Sequence, residues 1–173
     1  FFDDAKTASK ELELTLTGKN CGLAERAPMC GVPFHAVDSY ISKLVERGYK
    51  VAVCEQTEDP AQAKGIVKRE VLRIVTPGTI TSGEMLNERE NNYLASVYLA
   101  KDRFGFSYCD ISTGEMNVTE FPEEEGKPAL LNELVRIKAS EIIVNEDFID
   151  HIKKEELEGS CDARINILPA RYY

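Results

Sequence analysis

The sequence contains no run of about 18 or more apolar residues, which is the length that a membrane-spanning helix needs. Its first residues, Phe1–Asp4, include no basic side chain and do not predict a signal peptide. No internal repeat or low-complexity segment is present. The phosphate-binding pattern G-x-x-x-x-G-K-[ST] is also missing, which excludes the common nucleotide-binding loop from these 173 residues. These absences predict a globular protein that does not enter a membrane.

Cysteine is present, but not in a pattern that forms a site. The five cysteines are an odd number at wide and irregular spacings, so they predict neither a disulfide framework nor a C-x-x-C metal site. We therefore expect a reduced, cytoplasmic protein without a bound metal. The residues are Cys21, Cys30, Cys54, Cys109 and Cys161.

Length and composition indicate one large domain or two small ones. Hydrophobic residues make up 43% of the 173 residues and charged residues 29%, which are ordinary values for a soluble globular protein. A chain of this length can bury a core of its own.

The charge is strongly negative but unevenly distributed. A net charge of −9 argues against a nucleic-acid partner. Residues 1–90 carry 12 Lys and Arg against 14 Asp and Glu, however, whereas residues 91–173 carry 9 against 16. The first half is therefore close to neutral and can present a local positive surface to phosphates, although we expect weak intrinsic affinity.

A basic segment, Ala61–Arg73, is the best electrostatic candidate for such a surface. It holds four cations against the single acid Glu70. A run of charge is more often a solvated surface, and that interpretation stays open. Two of the cations, Lys68 and Arg69, are adjacent at the start of a predicted strand, so they should point to opposite sides of its pleat. The four cations are Lys64, Lys68, Arg69 and Arg73.

A rigid apolar loop, Pro28–His35, precedes a helix. Two prolines and a glycine restrict its backbone, and Met29 is an apolar residue without an evident helical partner. One interpretation is a loop near the DNA minor groove, where proteins insert apolar side chains. The other is a structural turn, with Phe34 in the core. Cys30 and His35 form a weak candidate for a nucleophile and a base, since no third member is evident.

Hydrophobic periodicity predicts a mixed α/β first half. One apolar stripe at helical spacing ends before Gly48, which is suited to a left-handed helix end. Small residues on the second face of one strand predict that it is covered on both sides. The predicted order is helix Asp3–Leu12, strand Glu13–Thr17, loop Gly18–Ala27, the striped helix (Val37, Tyr40, Ile41, Leu44, Val45), strand Lys50–Glu55, a short helix at Asp59-Pro60 and strand Glu70–Val75.

The second half has a different pattern, and we place the domain boundary in the polar stretch Thr81–Asn92. Three strands with very short connections require antiparallel neighbours. A crossover helix and a buried fourth strand follow, which are the opening elements of a ribonuclease H-like fold. The predicted order is strands Tyr93–Ala100, Phe104–Asp110 and Glu115–Phe121, a charged loop Glu123–Lys127, a helix opened by Pro128 (face Leu130, Leu131, Leu134, Val135), strand Glu141–Asn145 and helix Asp147–Leu157.

Several unusual strings occur in an order that resembles the MutS family of DNA mismatch repair proteins. The resemblance covers nearly all of the chain. It implies an α/β fold with a mismatch-recognition domain over 1–85, incomplete at its start, and a ribonuclease H-like connector domain over 86–173, incomplete at its end. The strings are Asp3-Asp4-Ala5-Lys6, Val53-Cys54-Glu55-Gln56 and Arg73-Ile74-Val75-Thr76-Pro77-Gly78-Thr79.

The resemblance also implies a function and a set of partners. Family members recognise mispaired and unpaired bases in duplex DNA, signal to MutL and form homodimers, whereas this fragment is expected to be monomeric. The family's ATP and magnesium site is expected outside this chain. So is the Phe-x-Glu element that contacts the mismatched base, since the family has it just upstream of the position matching Phe1. We therefore expect no cofactor and no catalytic residue here.

Four residues are the predicted DNA contacts. The family match carries Arg69 over as a contact to the DNA backbone, and Lys68 less firmly. Lys19, on the polar loop before Cys21, is a further candidate for phosphate. Met29 is the candidate for a contact in the groove.

Two other functions remain open from the sequence. A stand-alone α/β nuclease would use Asp110, but the strand Tyr93–Ala100 contains no acid to share a metal ion with it. Asp110 is better explained by turn chemistry with Ser112–Gly114. A protein-interaction module is the second alternative, and the acidic second half favours it.

Overall fold

The computed structural model describes residues 1–63, 65–83, 85–86 and 90–172, apart from the side chains of Glu125 and Ala170. The chain forms two compact units, Phe1–Val75 and Thr76–Tyr173. The structural division lies ten residues before the expected domain boundary at residue 85, because the turn Pro77–Thr79 packs with strands of the second unit. The family-domain boundary itself stays a prediction.

The first unit contains two helices and two small antiparallel sheets. One sheet pairs β1 with β2 and the other pairs β3 with β4. Helix α2 ends before Gly48, whose φ of 83° is left-handed as predicted. The elements are α1 (Phe2–Leu12), β1 (Thr17–Lys19), β2 (Ala27–Met29), a 3-10 turn (Phe34–Ala36), α2 (Val37–Glu46), β3 (Val51–Gln56) and β4 (Arg69–Val75).

The predicted strand Glu13–Thr17 is wrong. Helix α1 ends in Glu13, which has a left-handed φ of 55°, and Leu14 then donates its N–H to Ser9 O at 2.9 Å. This helix ending occupies the residues that alternate in the sequence. The strand begins only at Thr17, and the predicted loop Gly18–Ala27 supplies the start of its partner.

Two further predictions in this unit are wrong. Strand β3 is not covered on both sides, because Ala52 and Cys54 are exposed. The predicted helix at Asp59-Pro60 is a turn, in which Asp59 accepts the N–H of Ala61 through Oδ1 at 2.9 Å and that of Gln62 through its carbonyl at 3.0 Å. Asp59 thus closes a local turn with its own side chain instead of starting a helix.

The second unit is a five-stranded sheet in the order β7-β6-β5-β8-β9. Strands β5, β6 and β7 are antiparallel neighbours, while β8 is parallel to both β5 and β9. This arrangement is the predicted ribonuclease H-like start, with a fifth strand that the sequence analysis missed. The elements are β5 (Tyr93–Ala100), β6 (Arg103–Asp110), β7 (Glu115–Pro122), α3 (Glu123–Ile137), β8 (Glu141–Asn145), α4 (Glu146–His151), α5 (Lys154–Ser160), β9 (Arg164–Leu168) and a 3-10 turn (Ala170–Tyr172).

The core of this unit lies between the sheet and the three helices. Alternate residues of β5, β6 and β8 point to the same side and are almost fully buried. Helix α3 contributes its buried face through Leu130, Leu134 and Ile137. The sheet residues are Ala95, Val97, Leu99, Phe104, Phe106, Ile142 and Val144, and the short helices add Phe148 and Leu157.

Two helix predictions in this unit are corrected. Helix α3 begins at Glu123, so the predicted loop Glu123–Lys127 is its first turn and Pro128 lies inside it. Its residue Val135 is exposed rather than part of the buried face. The predicted helix Asp147–Leu157 is two helices, because Ile152 has extended backbone angles and is fully buried. None of the described helices is long and apolar enough to span a membrane.

Candidate nucleic-acid interface

The hairpin β1–β2 carries two of the four predicted DNA contacts. Its register pairs Thr17 with Met29 and Lys19 with Ala27, and the Thr17 hydroxyl donates to Met29 O at 2.9 Å. Lys19 therefore lies on a strand and not on a loop as predicted. Its side chain is exposed and has no acidic partner among the described residues. Met29 is half-buried, so only part of its side chain reaches the surface.

The other two predicted DNA contacts, Lys68 and Arg69, lie where β4 begins. Lys68 forms an ion pair with Glu70 at 2.5 Å, and its backbone N–H donates to the Glu58 carboxylate at 2.5 Å. Arg69 donates through Nη1 to Val67 O at 3.0 Å, and no described acid pairs with it. The two cations that look equivalent in the sequence therefore differ, because only Arg69 presents an uncompensated charge.

The other two cations of the basic segment are Arg73 and Lys64. Arg73 donates through Nη2 to Asp38 of helix α2 at 3.0 Å, so its charge is compensated within the unit. Lys64 lies outside the described residues. The four-residue basic cluster of the sequence thus reduces to one described cation, Arg69, that is free to meet phosphate. Among the four predicted DNA contacts, Lys19 is the other cation without a described acidic partner, and it lies on a different two-stranded sheet from Arg69.

The predicted apolar loop Pro28–His35 is corrected in two respects, since Pro28 and Met29 belong to strand β2 and Phe34 is not in the core. Phe34, which we expected in the core, has 87% of its surface exposed, because it lies in the 3-10 turn that leads into α2. The predicted helix entry at this place is confirmed. Phe34, rather than Met29, is the exposed apolar side chain of this loop.

A second exposed apolar residue was missed by the sequence analysis. Ile66 has 92% of its surface exposed and follows Gly65, whose φ is 138°. It lies in the connection between β3 and β4, just before Lys68. The available signal was a single isoleucine beside a glycine within a basic run, outside any apolar periodicity.

The carboxylate of Asp110 takes part in a turn. Its Oδ1 accepts the N–H of Ser112 at 2.9 Å and the Ser112 hydroxyl at 2.6 Å, and its Oδ2 accepts the N–H of Asn92 at 3.1 Å. The Ser112 hydroxyl, followed by backbone donors, holds the pKa of Asp110 below its usual value. The predicted turn chemistry is confirmed. Within the described ranges no three His, Cys, Asp or Glu residues are grouped to hold a metal.

The charge follows the division into two units. Residues 1–75 hold 11 Lys and Arg and 11 Asp and Glu, a net charge of zero. Residues 76–173 hold 10 against 19, a net charge of −9, so the second unit carries the whole excess. Repulsion from phosphates is therefore concentrated on the second unit, and the first unit is the better candidate for contact with DNA.

Comparison with known proteins covers both units. The family model described as MutS domain I matches residues 1–84, and the one described as MutS domain II matches residues 92–168. A DNA mismatch repair protein MutS from Acetivibrio thermocellus is 52% identical over 174 residues, which is 100% of this chain and 20% of that protein.

Two more relatives with the same description support the match. The protein from Ruminiclostridium cellulolyticum is 58% identical over 147 residues, which is 85% of this chain and 17% of that protein. The protein from Clostridioides difficile is 56% identical over 154 residues, or 88% of this chain and 16% of that protein. The chain thus spans a fifth or less of these relatives' lengths. It belongs to the MutS family and corresponds to domains I and II of that family.

Proposed function

We propose that this chain is the DNA-binding amino-terminal part of a mismatch repair protein that recognises mispaired and unpaired bases in duplex DNA. The observation that carries the proposal is the match of both units to consecutive MutS domains, with relatives described as DNA mismatch repair proteins. The charge division supports it, because the unit that matches domain I is the one without net negative charge.

Arg69 and Lys19 are the proposed phosphate contacts. Both are cations without an acidic partner in the described part of the chain, so neither has to break an ion pair to meet phosphate. Lys68 is a weaker contact because it first has to leave Glu70. That exchange costs little, since an exposed ion pair contributes at most about 1 kcal/mol. Met29 remains the proposed groove contact, and its half-buried position limits it to a small one.

The chain alone should bind duplex DNA weakly and with little preference for a mismatch. The two proposed phosphate contacts neutralise few phosphates, and contacts to the backbone carry no sequence information. From the family resemblance we expect the Phe-x-Glu element that contacts the base to lie outside these residues, because the string Phe121-Pro122-Glu123 lies in the second unit. Stacking on a base is worth about 1–3 kcal/mol. Its absence therefore removes most of the expected discrimination.

The second unit is proposed to act as the connector between DNA binding and the remaining functions of the parent. In the full-length protein it would couple occupancy of the DNA site to an ATP and magnesium site elsewhere, contact MutL and belong to a homodimer. This chain contains no phosphate-binding loop, so we expect it to hydrolyse no ATP. We also expect the chain alone to be monomeric.

A titration tests the proposal. The purified chain is added to fluorescent duplexes of one sequence, one matched and one with a single mismatch, at several salt concentrations. We expect weak binding to both, with affinities within about threefold of each other and a steep loss with salt. Absence of binding to either duplex at low salt would contradict the DNA-binding role. Cleavage of the duplex that requires a divalent metal would favour the nuclease alternative instead.

A further inference from the structure

Strand β7 forms one edge of the five-stranded sheet. It runs for eight residues, Glu115–Pro122, and pairs with β6 over its whole length. In the described part of the chain it has a strand neighbour on that side alone. The backbone groups on its other side are therefore a template onto which a further strand can add.

This edge has only some of the features that hinder strand addition. Proteins protect an edge with a bulge, with charged side chains (lysine above all), with a proline or with a very short strand. Strand β7 has the charges of Glu115 and Glu120 and a proline at its end. The register of β6 with β7 is continuous from Asp110 opposite Glu115 to Arg103 opposite Pro122, without a bulge. The strand contains no lysine, and its proline is its last residue. An edge of this length whose charges are both acidic stays open to a strand of the opposite charge.

Two apolar side chains stand exposed beside each other on one face of β7. Met116 has 67% and Val118 has 72% of its surface exposed, and alternation along the strand puts them on the same side. Phe121 lies on the other side of the strand, which faces the core. Side chains of an added strand would lie directly beside Met116 and Val118, and would shield them from water.

The charge around the edge selects the partner. The unit has a net charge of −9, and β7 itself contains Glu115 and Glu120 but no cation. Glu120 pairs with Arg103 at 2.5 Å, whereas Glu115 makes its side-chain contact with the neutral Asn117 at 2.9 Å. An acidic added strand would be repelled, and a second copy of this unit would bring a further −9. A basic strand is attracted.

We propose that the outer edge of β7 binds an extended, basic segment of a partner protein, which adds to the sheet as a sixth strand. The partner places apolar side chains beside Met116 and Val118 and basic side chains on the opposite face, near Glu115. This binding is independent of contact with DNA, which we assign to the first unit.

The probe is a synthetic eight-residue peptide in which lysine and valine alternate. Its binding to the 173-residue chain is measured by fluorescence anisotropy, and the amide exchange of residues 115–122 is followed by NMR. We expect saturable binding that slows amide exchange along β7. Methylation of alternate backbone nitrogens of the peptide keeps the charge but removes strand hydrogen bonds, and should raise the Kd about tenfold or more. A peptide with glutamate in place of lysine should not bind.

A pair of variants locates the site. The double substitution Met116→Thr with Val118→Thr keeps the β propensity and the charge but removes the apolar contact, and should raise the Kd about tenfold. The matched control is Ile167→Thr on β9, the opposite edge, where 43% of the isoleucine is exposed. It should leave the Kd within about twofold of the unchanged chain, a difference of under 0.5 kcal/mol.

Four results would overturn the proposal. The first is no binding of the lysine–valine peptide at low salt. The second is equal affinity for the methylated peptide, which would show attraction between charges without strand addition. The third is a loss of binding in Ile167→Thr and not in the double variant. The fourth is that the unchanged chain does not bind the peptide but forms a dimer, while the double variant is monomeric. This result would assign the edge to a second copy of the chain.

Discussion

The buried carboxylate of Glu141 accepts a hydrogen bond from the backbone N–H of Gly78 at 2.9 Å. Glu141 is 4% exposed and receives further hydrogen bonds from the Thr76 hydroxyl and the Asn166 amide. Its described partners are all neutral donors, so hydrogen bonds, and not an ion pair, compensate for its burial. The turn that follows β4 is held in this way against the inner strand β8.

Gly78→Ala should destabilise the protein by about 1–3 kcal/mol. A Cβ at this position would lie 2.9 Å from the Glu141 Cβ and 2.9 Å from the Leu94 Cδ1, so the turn has to move away from the sheet. The measurement is unfolding in urea followed by circular dichroism. Gly83→Ala is the control, since nothing lies within 4 Å of its added Cβ. Equal stability of both variants would show that the turn is not tightly packed.

Asp110 should make the stability fall in acid. Its folded pKa is lowered, chiefly by the Ser112 hydroxyl, so its contribution is complete above the unfolded value of about 3.9 and is lost as the pH falls through the folded pKa. Asp110→Asn should therefore be less stable at pH 7 and should lose less stability between about pH 5 and pH 2 than the unchanged chain. The free energy of unfolding is measured across this range, with the exposed Asp150→Asn as the control. An unchanged pH dependence in Asp110→Asn would contradict the assignment.

Asn145 replaces a missing pair of backbone hydrogen bonds in the core. Its Oδ1 accepts the N–H of Leu99 and its Nδ2 donates to Leu99 O, both at 3.0 Å, and the side chain is fully buried. Asn145→Leu leaves two buried backbone groups unpaired and should cost about 2–4 kcal/mol. Thermal and urea unfolding measure this, with the exposed Asn132→Leu expected to change stability by less than about 0.5 kcal/mol. A cost as small as that of the control would mean that water satisfies Leu99.

Two arginines of the same strand form a matched pair for DNA binding. In the full-length parent, Arg69→Ala should weaken binding to matched and mismatched duplexes alike and reduce the salt slope by about one, because it removes one phosphate contact. Arg73→Ala should change binding little, since Arg73 is paired with Asp38. The same salt titration, with the full-length parent in place of the chain, measures both. Loss of mismatch preference alone in Arg69→Ala would show that Arg69 reads bases and not the backbone.

The polar stretch between Thr81 and Asn92 should be the first site of proteolysis. Its sequence has no apolar periodicity, and Thr81, Gly83 and Glu90 are exposed, although part of it lies outside the described residues. Limited digestion with mass spectrometry of the products identifies the cut. A first cut elsewhere, with this stretch intact, would contradict the prediction.

Local pattern was sufficient for much of the second unit. Strands β5, β6 and β7 and the buried strand β8 were predicted within one or two residues, because alternation, short connections and the apolar run Ile142–Val144 agree with one another. Strand β9 was missed. The alternation of Arg164-Ile165-Asn166-Ile167 was a strand signal that the sequence analysis did not use, and pairing with β8 establishes the strand.

Pattern was less informative where one local signal competed with another. The alternation after Leu12 predicted a strand, but the left-handed end of α1 uses those residues instead. Pro128 predicted the start of a helix, but α3 is already formed at Glu123. In both cases the prediction rested on one local signal, and the neighbouring residues form a different structure.

For the candidate interface, the sequence by itself determined the family, the kinds of residue present and the acidic second half, because these depend on the order of residues alone. Only the tertiary structure decided which charges are available. Asp38, 35 residues from Arg73, compensates one cation, and Glu70 compensates Lys68, while Arg69 has no described acidic partner. The exposure of Phe34 is likewise a property of the folded structure that the sequence pattern did not predict. Coulombic pairing and burial depend on distance in space, and residues far apart in the chain set that distance only once it is folded.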